Sequence, residues 1–370
     1  MKAETTDKSR WRSLAAELGP LLGLIVTWAL FAMLIGPGFV AWDNQRLMLL
    51  QTAVVGTAAV GATLIIISGG IDLSVGSTIA LGGMVVALIL QAGGSPWVAA
   101  LGGIAAGAVA GAAVGAMVIG HVGRVFSVVL AFIVALWLGG HLPALVAIAI
   151  GLGVGALLLL ANERFLKVIP LSPFIVTLGM WGALRGAAKG IGDNQPIYPA
   201  DIGWLGGIMS HGESGITAIL APGVWILLLL AFLMSLVLDY TRFGRYVYAI
   251  GSNEQTARLC GIRIERNKFL IYVVAIGCAG VAALLQFSYL SIGDPTTADG
   301  YELKVIAAVV IGGASLSGGE GSIRGTLVGA LLMTVVDNGC TKLGLDNWIQ
   351  EIVTGGIIVS AVALDRLRHR

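Results

Sequence analysis

The residues that could carry covalent or metal chemistry are few, and none is spaced for it. His121, His141, His211 and His369 are scattered, with no ligand spacing among them. Cys260, Cys278 and Cys340 form no metal motif, and an odd number of cysteines cannot be a closed disulfide set. The chain holds no G-x-x-x-x-G-K-[ST] phosphate loop, no H-E-x-x-H and no nucleophile elbow. What stands out instead is charge. Residues 241–268, TRFGRYVYAIGSNEQTARLCGIRIERNK, set six basic residues (Arg242, Arg245, Arg258, Arg263, Arg266, Lys268) against two acids, Glu254 and Glu265. The chemistry open to such a segment is electrostatic and mechanical: it can dock another protein and be pushed by it.

Within this island, Ser252-Asn253-Glu254-Gln255 reads as a helix start. Ser252 can accept from the amide of Gln255, and the Gln255 side chain can reach back, as in a capping box. Glu254 falls in the first turn and Arg258 in the last, both favourable to the helix dipole. Gly261 suits the left-handed position that follows a helix. The expectation is a helix over about Asn253–Cys260, about two turns or roughly 12 Å long. Held between two membrane spans, it would act as a stiff lever.

Other polar residues interrupt apolar runs. Asp72, with Ser74 two residues on, lies beside a membrane segment. A carboxylate at the bilayer centre is costly and marks function; at a span end it can equally cap the helix that begins near Leu73. Asp337 and Asn338 break the 323–341 run and are placed either to touch a passing solute or to anchor the chain at the interface. Arg185 and Lys189, one turn apart, are expected to snorkel outward. Asp193, Asn194 and Gln195 form a turn that either meets a partner or is simply solvated.

The elements that position these residues follow from composition. The chain has 370 residues, 57% hydrophobic and 11% charged. A soluble domain carries roughly 25% charged residues. Residues 18–42, 47–71, 73–123, 125–162, 214–238 and 269–293 contain no Asp, Glu, Lys or Arg. About 20 apolar residues cross the hydrocarbon core, and unpaired backbone is not tolerated there, so the runs must be helices. The absence of polar alternation argues against a barrel. The fold class expected is an all-α polytopic helical bundle in a single transmembrane domain spanning 1–370. About twelve crossings are legible, near 18–36, 47–68, 73–91, 97–119, 125–141, 143–161, 173–190, 219–239, 269–290, 303–317, 323–341 and 347–364. Gly312, Gly313, Gly318, Gly319 and Gly321 interrupt the pattern, and a discontinuous or re-entrant helix is expected there.

Charge asymmetry orients the chain. Lys2, Lys8, Arg10 and Arg12 lie at one terminus, and Arg366, Arg368 and Arg370 at the other. No Lys or Arg lies between Lys189 and Arg242, where Asp193, Asp201 and Glu213 fall. The positive-inside rule then makes 1–17, 241–268 and 365–370 cytoplasmic and 191–218 external. Trp42, Trp97, Trp204, Trp225 and Trp348 fall near outer ends, as an aromatic belt would place them. Gly103, Gly107, Gly111 and Gly115 form a stripe that invites close backbone packing, echoed more weakly by Gly151 and Gly155. GGIDLSVGS (Gly69–Ser77) resembles GGASLSGGEGS (Gly312–Ser322), a faint internal repeat of the kind common in transporters.

The segment FGRYVYAIGSNEQTARLCGI (Phe243–Ile262) resembles the coupling segment of the ribose/xylose/galactose-type permeases of bacterial ABC importers. SGGIDLSVGS (Ser68–Ser77), PFIVTLGMWGALRG (Pro173–Gly186), VIGGASLSGGEGS (Val310–Ser322) and VDNG (Val336–Gly339) are similar to that family in the same order. The resemblance covers about residues 45–365. It implies an inner-membrane subunit that pairs with a second copy or paralogue, docks ATPase subunits on 241–268 and receives a monosaccharide from a periplasmic binding protein. Gly244, Arg245, Gly251, Asn253, Glu254, Ala257, Arg258 and Gly261 would then carry the coupling, and Asp72, Ser74, Asn194, Asp337 and Asn338 are candidates for the solute pathway. Membrane lipid is the other expected contact; no cofactor, metal or nucleic acid is implied. The sequence departs from the family near 121–161, where an extra hairpin looks inserted. An ion-driven transporter, an ABC permease for a non-sugar solute, and a membrane enzyme or receptor remain as rival readings. The first would need ion-coordinating groups at mid-membrane, where only Asp72 is a candidate, and the last would need a catalytic constellation or large extramembrane domain.

Overall fold

A computed structural model describes residues 4–139, 143–165, 171–212 and 216–368. Lys2, His141, Glu213, His369 and Arg370 lie outside the described residues. Helices follow one another along the chain: α1 (Glu4–Ile35), α2 (Pro37–Val40), α3 (Trp42–Ile67), α4 (Val75–Gln91), α5 (Pro96–Val118), α6 (Val122–Gly139), α7 (Ala144–Phe165) and α8 (Pro173–Ile191). A short 3-10 turn (Gly203–Gly207) precedes α9 (Ile216–Ile219), α10 (Pro222–Tyr240), α11 (Arg242–Ser252), α12 (Glu254–Leu259) and α13 (Ile264–Leu290). The chain closes with α14 (Tyr301–Ile311), α15 (Ile323–Lys342) and α16 (Asn347–Arg368). Each of the twelve apolar runs overlaps a helix, but the 303–317 run is helical only over Tyr301–Ile311, too short for the crossing expected there because the glycines from Gly312 onward end it, and among the described residues the only extended pairing is the Ile197–Gly293 bridge. The fold is the all-α polytopic bundle expected. By length and composition, α3, α5, α10 and α13 each suffice to cross a membrane, and shorter apolar helices accompany them.

Burial sorts these helices into layers. In α3, 94% of the most apolar stretch is buried, and in α13 67%, against 28% in α10. A helix apolar on all sides belongs inside a bundle, and α3 and α13 form its spine. Their crossing is close because Gly61 has no side chain: a Cβ there would lie 2.8 Å from the Cβ of Cys278. The α5 stripe has the same use. A Cβ at Gly107 would stand 2.6 Å from the Cα of Gly280, and one at Gly111 2.7 Å from the Tyr272 carbonyl, so α5 lies backbone to backbone on α13. Gly103 faces α4 instead, against Val86 and Gly82. Gly151 and Gly155 pack α7 onto Ala135 and Ala131 of α6, joining the extra hairpin to itself.

Arg185 departs from expectation. It does not snorkel outward but is buried at 9% exposure, donating to the carbonyls of Pro295 (3.0 Å) and Thr297 (2.7 Å). Lys189 is exposed. The reason is long-range: the α13–α14 connection passes beside α8 and offers carbonyls that only a side chain can satisfy.

Filling the α5–α13 seam should be destabilising. Gly107→Val is expected to cost roughly 1–3 kcal/mol or more, the range for overpacking. Gly179→Ala in α8, where nothing lies within 4 Å, should be neutral or slightly stabilising. Thermal unfolding of the purified variants in detergent checks the difference, and equal midpoints would refute the packing described.

Candidate coupling site at the 241–268 elbow

The island folds as two helices meeting at an elbow. The first, α11, is not expected from its charge. It is amphipathic: Gly244, Val247 and Ile250 share a buried face while Arg242, Tyr246 and Arg245 turn away. Thr241 caps it, its Oγ1 accepting from the Gly244 amide at 3.1 Å. Helix α12 runs Glu254–Leu259, shorter than the Asn253–Cys260 expected. Its cap is Asn253, whose Oδ1 accepts from the Thr256 amide at 2.8 Å; the capping box from Ser252 to Gln255 is not formed. Ser252 is unavailable because it is the last residue of α11. Gly261 does adopt the left-handed conformation, at φ 82. Its amide donates to Arg258 and that of Ile262 to Ala257, the paired bonds of a Schellman ending.

Ile250, Ala257 and Ile264 form a small buried cluster of their own, with Ala249 and Ile262 packed against it, so α11, α12 and the start of α13 move together. Around it, Lys268 lies 2.6 Å from Glu254, and Arg258 lies 2.8 Å from Glu265 and 4.0 Å from Glu254. These pairs are largely solvent-exposed and contribute on the order of 0–1 kcal/mol each. Burying one Ile contributes about 1.5–3 kcal/mol. Packing, rather than charge, therefore holds the elbow.

The elbow reaches the bundle through backbone. The Gly319 amide donates to the Ile67 carbonyl at 2.8 Å. A Cβ at Gly251 would overlap that same carbonyl and come within 2.6 Å of the Gly319 amide. A Cβ at Gly318 would lie 2.8 Å from the Gly251 carbonyl and 3.0 Å from Gly69. Both members of the sequence repeat, the break after α3 and the 312–322 loop, thus converge under α11. Tyr248 fastens the loop by donating to the Gly321 carbonyl at 2.9 Å. Burial pushes its phenol above the ordinary range.

The remaining sequence candidates are dispersed. Asp72 is buried, and its Oδ1 accepts from the amide and hydroxyl of Ser74 at 2.8 and 2.6 Å. This turn leads into α4, a role close to the capping alternative. Its Oδ2 has no partner. Asn338 is buried and exchanges reciprocal bonds with Asn44 at 3.0 and 3.1 Å, which ties α15 to α3. Asp337 pairs with Lys304 at 2.6 Å. Asn194 sits exposed in a left-handed turn after α8, at φ 63. The structure brings Gly251, Asn253, Glu254, Ala257, Arg258 and Gly261 to one elbow; Gly244 and Arg245 belong to the helix that leads into it. Sequence reasoning missed Thr241, Tyr248, Asn44 and Lys304, and misread Arg185. Only Thr241 carried a local signal, a cap residue three positions before a buried glycine.

A bundle of long apolar helices with glycine-lined breaks is that of a multi-pass membrane protein. Comparison with known proteins agrees. The family described as "Branched-chain amino acid transport system / permease component" matches residues 46–142 and 119–362. The two stretches overlap around α6, where the sequence departs from the family pattern. The ribose import permease of Escherichia coli K12 is 33% identical over 377 aligned residues, covering all of both chains. The fructose import permease of Rhizobium meliloti is 30% identical, over 94% of this chain and 84% of its own. The D-allose transport system permease of E. coli K12 is 29% identical, over 95% of this chain and 92% of its own. No solved structure matches. The chain belongs to this family of ABC transport-system permeases.

Removing the cap should loosen the elbow alone. Asn253→Ala is expected to cost about 1 kcal/mol of local stability, seen as faster amide exchange at Thr256 and Ala257 with α3 and α13 unchanged. Unchanged exchange at those two amides would refute the cap.

Proposed function

We propose that this chain is the membrane subunit through which an ABC importer takes up a monosaccharide, a pentose or hexose handed over by a periplasmic binding protein. The import permeases for ribose, fructose and D-allose, similar along nearly their whole length, support the cargo class. The elbow carries the mechanism. The short exposed helix α12 is ion-paired to the first turns of α13, and α11 before it bonds the Gly321 carbonyl and packs through Gly251 on the backbone of Ile67 and Gly319. ATPase subunits docking on Arg245, Glu254 and Arg258 would displace α12, and α13 would follow because Ile250, Ala257 and Ile264 pack as one. The same displacement reaches the break after α3 through Gly251 and the 312–322 loop. ATP hydrolysis belongs to those partners, and this chain supplies the lever and the path. A second copy or paralogue completes the pathway.

In this reading the elbow and both termini are cytoplasmic, and Tyr198 is external. Cys260 is exposed on the elbow while Cys278 and Cys340 are buried. Cys260 should therefore react with an impermeant thiol reagent only from the cytoplasmic side, and Tyr198→Cys only from outside; the reverse pattern overturns the topology.

Membrane vesicles holding the permease, its ATPase and its binding protein should accumulate a labelled sugar from a ribose, fructose and allose panel only with ATP. Glu254→Lys reverses the charge facing Lys268 and Arg258. Gly261→Pro removes the amide bonded to Arg258 and forbids φ 82. Both should abolish uptake and ATPase docking while membrane insertion stays normal. Uptake that persists without the ATPase would sink the reading.

A further inference from the structure

Buried hydroxyls in this bundle commonly find an acceptor in their own helix. Thr52, Thr63 and Thr334 each donate to the carbonyl four residues back, at 2.7, 2.7 and 3.0 Å, and Thr63 also meets Thr326 at 2.8 Å. Four buried polar groups around the segment 70–77 break this rule together. Asp72, Ser77, Tyr272 and Glu302 are 3%, 0%, 2% and 9% exposed. Yet Asp72 Oδ2, Ser77 Oγ, the Tyr272 hydroxyl and Glu302 Oε2 have no hydrogen-bond partner in the chain. Two glycines let the groups approach. A Cβ at Gly70 would lie 2.7 Å from the Tyr272 hydroxyl, and one at Gly76 would overlap the Glu302 carboxylate. Tyr272 is also within electrostatic reach of Asp72. The groups come from three elements, the α3–α4 segment, α13 and α14, and Thr177 of α8 pins the segment by donating to the Ile71 carbonyl at 3.2 Å.

A buried donor or acceptor left unmet destabilises a fold, and an unmet carboxylate oxygen does so most. Such groups call for an occupant. We propose that Asp72 and Tyr272, with Ser77 and Glu302, are solute contacts, whose unused donors and acceptors are taken up by the hydroxyls of the monosaccharide when the path opens. The assignment rests on the transport reading above and names where in the chain the sugar is held. A sugar hydroxyl is donor and acceptor at once, so it can donate to a carboxylate and accept from a phenol. A cation would use only the oxygens, and among the described residues no three acidic, His or Cys side chains gather as a metal ion would need. The walls belong to parts that the elbow moves. Tyr272 follows Lys268 by one turn of α13, and Lys268 is paired with Glu254 of α12. Gly69, three residues before Asp72, touches Gly318, whose neighbour Gly319 bonds Ile67. Displacing α12 therefore shifts Tyr272 against the 70–77 segment and uncovers groups that are closed off here.

The test pairs permease variants with sugar analogues. Tyr272→Phe removes one hydroxyl that the fold does not use, so the purified variant should melt at or above the wild-type temperature. Asp72→Asn keeps the shape and the acceptor for Ser74. In vesicles holding the ATPase and binding protein, uptake of the sugar that the wild type accumulates should fall roughly tenfold in Tyr272→Phe, and further in Asp72→Asn because bonds to a charged group are stronger. The single-deoxy analogue lacking the hydroxyl that Tyr272 meets should be carried equally by wild type and Tyr272→Phe, while the other analogues still show the loss. The binding protein is the same throughout, so its own preference cancels from each ratio. A loss of equal size for every analogue would mean a gating role and overturn the contact. So would wild-type rates in both variants, or a lower melting temperature for Tyr272→Phe. Wild-type uptake that needs a sodium or proton gradient, with the need abolished by Asp72→Asn, would assign the site to a cation instead. Wild-type vesicles that accumulate no sugar would refute the sugar reading itself, and the contact with it.

Discussion

Everything at the elbow end depends on backbone touching backbone. The Ile67 carbonyl accepts from the Gly319 amide and also packs against the Cα of Gly251, leaving no room for a Cβ. Gly318 and Gly319 can take left-handed conformations there, at φ 85 and 81, which lets the loop turn away at once. Side chains would keep the α3 break, the 312–322 loop and α11 several ångströms apart. Without them, a shift of one backbone is transmitted to the other two with little slack. Close packing of this kind favours discrete arrangements over continuous deformation.

The same device is used along the length of the bundle. Gly61 brings α3 onto α13, and Gly107 and Gly111 bring α5 onto α13, so α13 is held from two sides by contacts that cannot slide without overlap. Its first turns belong to the elbow and its last residues lead into the connection gripped by Arg185. One helix therefore joins the elbow at one end to the 291–300 connection at the other. Electrostatics contributes little to this rigidity, because the elbow's ion pairs are mostly exposed and screened.

How much of this was legible depended on range. Lipid as solvent dictates long apolar runs, and these were readable because the constraint acts on each segment by itself, except at 303–317, where the helix stops at Ile311 and does not span. Gly261 was readable for the same reason: a helix ending is a local event. The cap was misplaced by one residue because Ser252 and Asn253 are both good caps, and only the length of α11 decides between them. Helix α11 itself was hidden by its arginines, whose count drew attention from the Val247–Ile250 face. Arg185 was misread because its partners lie 110 and 112 residues away, and nothing nearby in the sequence announces them. Asn338 finds Asn44 across 294 residues in the same way.

Dispersal of the polar candidates is itself informative. Asp72 and Ser74 spend their bonds on each other, and Asn338 spends its own on Asn44. The Asn44–Asn338 pair fixes α3 against α15 in an apolar medium, where an unpaired amide is costly. Asp299 behaves differently: its side chain is 75% exposed although Arg185 lies 3.8 Å away, whereas Lys304 and Asp337 pair at 2.6 Å and are only 26% and 22% exposed.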